Sequence, residues 1–424
     1  MKNISNVIIN RKEERMLKNL KGWILVYGRR KTGKTFMLRR VFPRSNYFVV
    51  TRSGDIAAWN GEGFSYISVS EAITRIGKLL KGGGTVILDE FQRFPDKYWD
   101  LIAVNHPNGR FVASGSSLGI LKKVFEKNSP LLGLFSPFKV DLINYSDAVT
   151  SLSKICLSLK DALLWGLIIR DPWIIPMVSF DRSVVSEIRD KIYYFLASAS
   201  GLVGEVFEDE ERALTRVYDV TIRLIGGGIW MPAEISGVLT ANNLISGGIP
   251  TVTGLLERLS KMGILEKIGL WKTKGSRSYF KHRSPLLSII YYLDRKLNIS
   301  ESPHVKIDEN TILSVLGREL QFSLGEMLAQ YLGGIRSYTF LPNGKGDIDI
   351  VVLDSKSKVP IIGYEVKVGE IDESEAKKAV DLIHSYGIPR AGLISASEKP
   401  PKVPGSHEEL GPEELVSIAK KLST

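Results

Sequence analysis

Gly28-Arg29-Arg30-Lys31-Thr32-Gly33-Lys34-Thr35 follows the apolar run Trp23-Ile24-Leu25-Val26-Tyr27 and matches the pattern G-x-x-x-x-G-K-[ST] in full. The residue types suit one task. The glycines let the backbone wrap so that its N–H groups point at phosphate oxygens. Lys34 can reach the outer phosphates, and the Thr35 hydroxyl can ligate Mg²⁺. The run 23–27 reads as a buried strand and 34–42 as a helix whose positive dipole end faces the bound anion.

Working outward, Thr85-Val86-Ile87-Leu88 reads as a second buried strand that ends in Asp89-Glu90. In a phosphate-loop site the first acid holds the Mg²⁺ shell and the second polarises the attacking water. The predicted catalytic set is therefore Lys34, Asp89 and Glu90, with Thr35 and Asp89 toward the metal. A third strand, 110–114, ends in Ser114-Gly115-Ser116-Ser117, where Ser114 is placed to meet a terminal phosphate or its water. Short apolar strands separated by helical patterns predict a parallel α/β sheet over 1–144.

These motifs, in this order, resemble the archaeal ATPase family within the STAND/AAA-like P-loop NTPases. The likeness is carried by Arg11-Lys12-Glu13-Glu14, the phosphate loop with Gly28, Gly33, Lys34 and Thr35, the strand end Leu88-Asp89-Glu90-Phe91-Gln92, and the Gly-Ser-Ser element. It covers 7–144 strongly. It implies an ATP-dependent switch with Arg11 and Glu14 near the nucleotide, and ATP and Mg²⁺ as cofactors. One departure matters. The family carries an arginine soon after a Ser-Pro that follows the third strand, whereas Ser129-Pro130-Leu131-Leu132-Gly133-Leu134-Phe135 has none. An arginine there supplies transition-state charge stabilisation, so its loss argues against fast intrinsic hydrolysis. Lys122, Lys123 and Lys139 are the nearby cations.

The composition of the 424 residues, 44% hydrophobic and 24% charged, excludes a mainly disordered, collagen-like or coiled-coil chain. The net charge of +11 is uneven: 1–44 carry 13 basic and 2 acidic residues, and 256–283 carry 8 and 2. Two basic clusters point to polyanions. A single cysteine, Cys156, excludes an internal disulfide framework and a multi-cysteine metal site, and fits a reducing, cytoplasmic setting. The five histidines are scattered without metal-ligand spacing. The N-terminus lacks the apolar core of a signal peptide. The most apolar stretch, Ala162–Val178, is interrupted by Arg170-Asp171-Pro172, so no membrane span is predicted.

From 145 to 225 apolar spacing becomes helical, as in Val184, Ile188, Ile192, Phe195 and Leu196, and a helical lid is expected. Residues 226–290 suggest a winged helix-turn-helix: a short helix over Met231–Leu239, a second over Thr251–Met262, and a basic hairpin over Leu270–Arg283. Lys267, Lys272, Lys274, Arg277 and Lys281 are the candidate DNA contacts. Such side chains neutralise phosphates and give salt-dependent, mostly sequence-independent binding to duplex DNA.

The last domain is expected over 305–424, with a helix over Gly317–Tyr331, strands over Ile348–Leu353 and Ile361–Val368, and a helix over 373–386. Asp349 and Glu365 fall on adjacent strands. Glu365 and Lys367, two apart, share a face. Two carboxylates can hold a divalent metal that activates water, and a lysine can stabilise the pentavalent phosphate. The arrangement resembles the PD-(D/E)xK restriction-endonuclease-like family. The resemblance implies Asp349 and Glu365 as metal ligands, Lys367 as the catalytic lysine, and a further glutamate on the preceding helix. Glu319 and Glu326 stand seven apart on one helical face, and the sequence does not choose between them. The proline of the family motif is absent before Asp349.

The fold class is thus multidomain α/β: a phosphate-loop sheet (1–144), a helical lid (145–225), a winged helix (226–290) and a nuclease-like α/β domain (305–424). The function expected is an ATP-binding and ATP-hydrolysing switch acting on DNA. The alternatives are a nucleotide-gated scaffold without cleavage and a metal-dependent nuclease loaded by its ATPase domain. An oligomer or a protein partner fits either of the first two.

Overall fold

The computed structural model describes residues 7–423 apart from 60, 117, 211–214, 272–277, 303–304 and 340–346. The chain divides into two compact units. The first is Arg11–Leu142 with Glu205–Arg212, and the second gathers Ile143–Gly204, Ala213–Thr424 and the segment ahead of Arg11.

In the first unit the elements run α1 (Lys12–Asn19), β1 (Ile24–Tyr27), α2 (Lys34–Val41), β2 (Asn46–Val50), β3 (Ile56–Trp59), β4 (Phe64–Ile67), α3 (Val69–Lys81), β5 (Thr85–Asp89), α4 (Trp99–Ala103), β6 (Arg110–Gly115), α5 (Leu118–Val124) and β7 (Ser136–Lys139). They build one seven-stranded sheet of order β4-β3-β2-β5-β6-β1-β7. β2, β5, β6, β1 and β7 are mutually parallel, and β3 and β4 extend the sheet antiparallel. The central strands are apolar on both faces because helices cover both. Ile24, Val26, Ile87 and Val112 pack against Leu17, Met37 and Leu38 of α1 and α2. Leu25, Val86, Leu88, Phe111 and Ala113 pack against α3 and the Phe91–Phe94–Trp99 aromatic group. Ser68 caps α3 by accepting from the Glu71 N–H at 3.2 Å.

The three strands expected from the sequence are β1, β5 and β6. The sequence reading lacks β2, β3, β4 and β7. β7 reads Ser-Pro-Phe-Lys, a short edge strand whose proline and exposed positions give no apolar run. β4 is likewise an edge strand with three exposed residues. β6 lies between β1 and β5, so its tip falls between the phosphate loop and Asp89.

The second unit contains α6 (Tyr145–Leu152), α7 (Leu159–Ile168), most of α8 (Val184–Glu210), α9 (Thr215–Gly226), α10 (Pro232–Ala241), α11 (Ile249–Lys261), β8 (Leu265–Gly269), β9 (Ser278–His282), α12 (Pro285–Leu297), α13 (Glu309–Tyr331), β10 (Ile335–Thr339), β11 (Ile348–Leu353), β12 (Pro360–Lys367), α14 (Glu373–Ser385), β13 (Ala391–Ser395), β14 (Ser406–Leu410) and α15 (Pro412–Ser423). The helical spacing read on α8 is the buried one: Val184, Ile188, Ile192, Phe195 and Leu196 are all in the core. α6 and α7 pack on each other and on α15. α10 and α11 precede the antiparallel hairpin β8–β9, whose tip lies outside the described residues. The five-stranded sheet has the order β10-β11-β12-β13-β14, antiparallel through β12 and parallel beyond it. Its core joins Ile348, Val351, Leu353 and Leu393 to Ala376, Val380 and Ile383 of α14. A capping box at Asp372 and Glu375 starts α14.

α13 begins earlier than the sequence spacing predicts, at Glu309, where Asp308 caps it by accepting from Thr311 N–H. One stripe of this helix lies on the sheet. A side chain at Gly317 would meet Val368, and one at Gly325 would meet Tyr338, Arg336 and Ile350. Among the described residues no helix is long and apolar enough to cross a membrane.

Candidate functional site

The phosphate loop is built by close approach. A Cβ on Gly28 would lie 2.0 Å from the Val140 carbonyl oxygen, and Gly28 has φ +149°. No other residue fits there. Gly33 (φ +86°) turns the chain into α2. Lys34 is buried, and its ammonium donates to the carbonyls of Gly28 (2.7 Å) and Arg29 (2.8 Å). Burial lowers its pKa to about 8, against the opposing pull of Asp89 and Glu90. Arg11 is also buried. It donates to the Thr32 carbonyl in the loop and to the Asp141 carbonyl past β7, each at 2.8 Å. Glu14 is paired with Arg40 of α2 at 3.1 Å. Arg30 of the loop is ion-paired with Glu205 of the same unit at 2.8 Å.

Asp89 is brought directly to the loop. Its Oδ2 accepts from the Thr35 hydroxyl at 2.7 Å and from the Tyr47 hydroxyl at 2.5 Å. Tyr47 was missed by sequence reasoning. It comes from the neighbouring parallel strand β2, and its only signal was a phenol inside an apolar run. Glu90 follows in the left-handed region (φ +57°), which is rare for a glutamate and typical of constrained sites. Its carboxylate accepts from Gln92 Nε2 at 2.6 Å and pairs with Arg93 at 3.4 Å. Gln92 also donates to the Ser116 hydroxyl at 3.0 Å and accepts from the Ser116 N–H at 3.3 Å. Glu90 is thereby linked to the tip of β6. Ser114, the expected phosphate contact, is fully buried, with a hydroxyl that has no partner among the described residues. The pairing of Leu88 with Ala113 puts Ser114 next along the strand, beside Asp89.

Lys34, Thr35, Asp89 and Glu90 thus meet in one place. Thr35 and Asp89 offer adjacent hard oxygen donors, a set that suits Mg²⁺. The segment that lacks the family arginine serves the core instead, with Leu131 and Phe135 packed under the sheet. Lys123 is paired with Asp96 at 3.3 Å and Lys139 with Asp141 at 2.9 Å.

In the second unit, Asp349 and Glu365 lie next to each other. Ile350 pairs with Tyr364, and the Val366 N–H donates to Asp349 Oδ2 at 2.8 Å. Burial raises the pKa of both carboxyls. Glu365 adds to the rise of Asp349, and Asp347 to that of Glu365. Lys367 is paired at 2.5 Å with Glu375 of α14.

The helix glutamates need correction. Glu319 is fully buried on the far side of α13, 2.7 Å from the Ser288 hydroxyl and 3.2 Å and 3.5 Å from Arg318 and Lys281. Glu326 pairs with Arg170 at 2.7 Å. Gln321 of α13 reaches the carboxylate strand, where its Nε2 donates to the Asp349 carbonyl at 2.9 Å. No group of three or more His, Cys, Asp or Glu side chains is disposed to hold a metal among the described residues. The donor set here does not fit a three-carboxylate metal centre.

Lys281 is the second correction. It is 2% exposed, hydrogen-bonded to Glu266 at 3.0 Å and to the His282 carbonyl at 2.7 Å, so it is not presented to a DNA phosphate. All but the first residue of β9 are buried, because the strand packs under α13 as well as beside β8. Glu266 also meets Arg336 at 2.9 Å, and Arg336 in turn donates to the Phe322 carbonyl of α13. Burial alone would raise the Glu266 carboxyl. The charges of Arg336, Lys281 and Arg283 overcome it and hold the pKa at about 2. Lys267 is exposed and pairs with Glu257 at 2.8 Å. Lys272, Lys274 and Arg277 lie outside the described residues.

Comparison with known proteins agrees on the first unit. Residues 21–139 match the model of the AAA domain family. That span, under a third of the chain, is an AAA-type P-loop domain. No curated protein matches the chain. Among solved structures, the Walker-type ATPase of Pyrococcus abyssi is 19% identical, covering 67% of this chain and 96% of that one, with a TM-score of 0.46. The ORC2 protein of Aeropyrum pernix is 16% identical, covering 74% and 93%, with a TM-score of 0.38. A STAND protein with a tetratricopeptide repeat sensor from Pyrococcus horikoshii is 14% identical, covering 77% and 50%, with a TM-score of 0.31. With TM-scores below 0.5, these three likenesses carry no argument about function.

Proposed function

We propose that the chain is an ATP-binding, ATP-hydrolysing switch that acts on duplex DNA and does not cut it. The observation that carries the nucleotide half is the convergence of Lys34, Thr35, Asp89 and Glu90 on one loop, inside a span that matches the AAA family. The loop N–H groups and Lys34 bind the phosphates, Lys34 exchanging the Gly28 and Arg29 carbonyls for phosphate oxygens. Thr35 and Asp89 would hold Mg²⁺, which when bound neutralises developing phosphate charge. Glu90 orients and deprotonates the attacking water, with Gln92 and Arg93 fixing its carboxylate. Ser114 offers its free hydroxyl beside Asp89. Arg11 supports the loop from behind and Glu14 steadies α2 through Arg40.

The DNA half is supported by the element order α10, α11, then the hairpin β8–β9, which suits a winged helix. Lys267, Lys272, Lys274 and Arg277 are its proposed phosphate contacts, now without Lys281. The mixed sheet with Asp349, Glu365 and Lys367 suits a nuclease-like fold kept for binding. Filling of the phosphate loop biases the helical segment 145–225, and that bias reaches the DNA-binding regions. A cytoplasmic setting is proposed with this reading. The absent arginine favours the second reading, a nucleotide-gated scaffold with slow turnover that binds a protein partner or a second copy.

The deciding measurement is ATP turnover by wild type and Lys34→Ala, with and without duplex DNA. Wild type is expected to hydrolyse ATP faster with DNA, and Lys34→Ala to lose at least about a hundredfold. Equal turnover in the two proteins sinks the ATPase assignment. Tight ATP binding without DNA-stimulated turnover favours the scaffold.

A further inference from the structure

We infer that Gln321 occupies the third ligand position of the Asp349–Glu365 pair, and that its neutral amide leaves the pair unable to hold Mg²⁺ or Mn²⁺ at roughly millimolar concentration. The inference rests on reading that pair as the remnant of a nuclease-like centre.

The argument is one of helical phase. Gly317, Gln321 and Gly325 are spaced four apart, so they form one stripe along α13. Both glycines mark where that stripe touches the sheet: Gly317 against Val368, the residue after β12, and Gly325 against Ile350 of β11. Gln321 lies between them and reaches the Asp349 backbone. A carboxylate delivered to Asp349 and Glu365 from this helix has to come from position 321. The glutamates two before and five after it are turned away. Glu319 is committed to Ser288, Arg318 and Lys281, and Glu326 to Arg170. Turning Glu319 into the site would break its contacts with Ser288, Arg318 and Lys281, and turning Glu326 would take from the buried Arg170 its carboxylate. Arg336, through the Phe322 carbonyl, fixes the same helical phase one residue further on.

Divalent cations with oxygen ligands are held according to ligand charge and number. The oxygen of Gln321 is a donor without charge. The lysine of the motif is neutralised as well, through Glu375. The group has the layout of a metal centre with one charge too few.

The experiment is a calorimetric titration of Mn²⁺ into the nucleotide-free full chain, for wild type, Gln321→Glu, Asp349→Asn and the double variant. Thermal unfolding with and without Mn²⁺ is recorded for each. Wild type is expected to show no saturable binding that Asp349→Asn removes. Gln321→Glu is expected to gain binding at least about tenfold tighter, and the double variant to lose that gain. If the added charge destabilises the fold, Mn²⁺ must raise the unfolding temperature of Gln321→Glu more than that of wild type. Tight wild-type binding abolished by Asp349→Asn, or Mn²⁺-dependent DNA cutting abolished by it, overturns the inference and leaves the nuclease-like reading standing. Failure of Gln321→Glu to gain either binding or thermal protection overturns both.

Discussion

The two groups of acidic residues, one at the phosphate loop and one on β11–β12, were written in the sequence in different ways, and the fold treats them differently. At the loop, the key lysine and threonine are neighbours in the chain, placed by a single backbone turn. The acids arrive at the end of β5, a parallel strand separated from β1 by β6 alone. On β11–β12, the pair is delivered by two strands, but the third position depends on the rotation of a 23-residue helix. That rotation is held by ion pairs of Glu319 with Lys281 and of Glu326 with Arg170, cations distant in sequence, and by the hydrogen bond from Arg336 to the Phe322 carbonyl. A site carried by one loop keeps its chemistry if the loop is intact. A site spread over a helix and a sheet keeps its chemistry only if the helix phase does.

The sharpest way to break this contrast is Gly28→Ala. The added methyl meets the Val140 carbonyl, so the loop must open. The first unit is expected to lose about 3 kcal/mol of stability or more, and nucleotide binding with it. Denaturant unfolding and titration with a fluorescent nucleotide check this. The unfolding of the second unit should not change. Retained nucleotide binding would mean that the loop is not placed locally.

The matching test on the other side is Glu266→Gln, which removes the hub between Arg336 and Lys281. A loss of about 3 kcal/mol is expected near neutral pH. The sign with pH follows from the depressed carboxyl. The stability it contributes is fully present above its unfolded pKa of 4.5 and is lost as pH falls toward about 2. Urea midpoints of wild type and variant should therefore differ most at pH 6 and converge near pH 2. A constant difference across that range would show that Glu266 is not charged in the folded state.

A smaller effect tests the link from Glu90 to β6. Gln92→Ala should lower kcat for ATP about fivefold and leave KM unchanged, since it loosens the carboxylate proposed to act in the chemical step. An equal rise in KM would place Gln92 in nucleotide binding.

These differences also explain what could be read in advance. The phosphate loop and the strands read over 85–88 and 110–114 were legible because a short apolar run leads into each polar motif, and the β11–β12 pair because Asp349 and Glu365 are acids set inside apolar runs. Tyr47, and the link that Gln92 makes from Glu90 to Ser116, were not, because their partners lie across strands or turns. Lys281 was misread because basic residues on a hairpin normally face water, whereas β9 is buried on both faces. Glu319 and Glu326 could not be separated by spacing, since seven residues return to the same face. The structure engages both away from the Asp349–Glu365 pair: spacing fixes which residues share a face, and packing alone fixes which face meets the sheet.

Arg11 adds a mechanical point. One guanidinium grips a carbonyl of the phosphate loop and a carbonyl of Asp141, the residue just before the chain leaves the first unit at Leu142. The Gly28–Val140 contact lies alongside. The loop and the exit strap are thus two ends of one short lever. A change in the loop backbone at Thr32 would therefore pull on the same guanidinium that holds the Asp141 carbonyl.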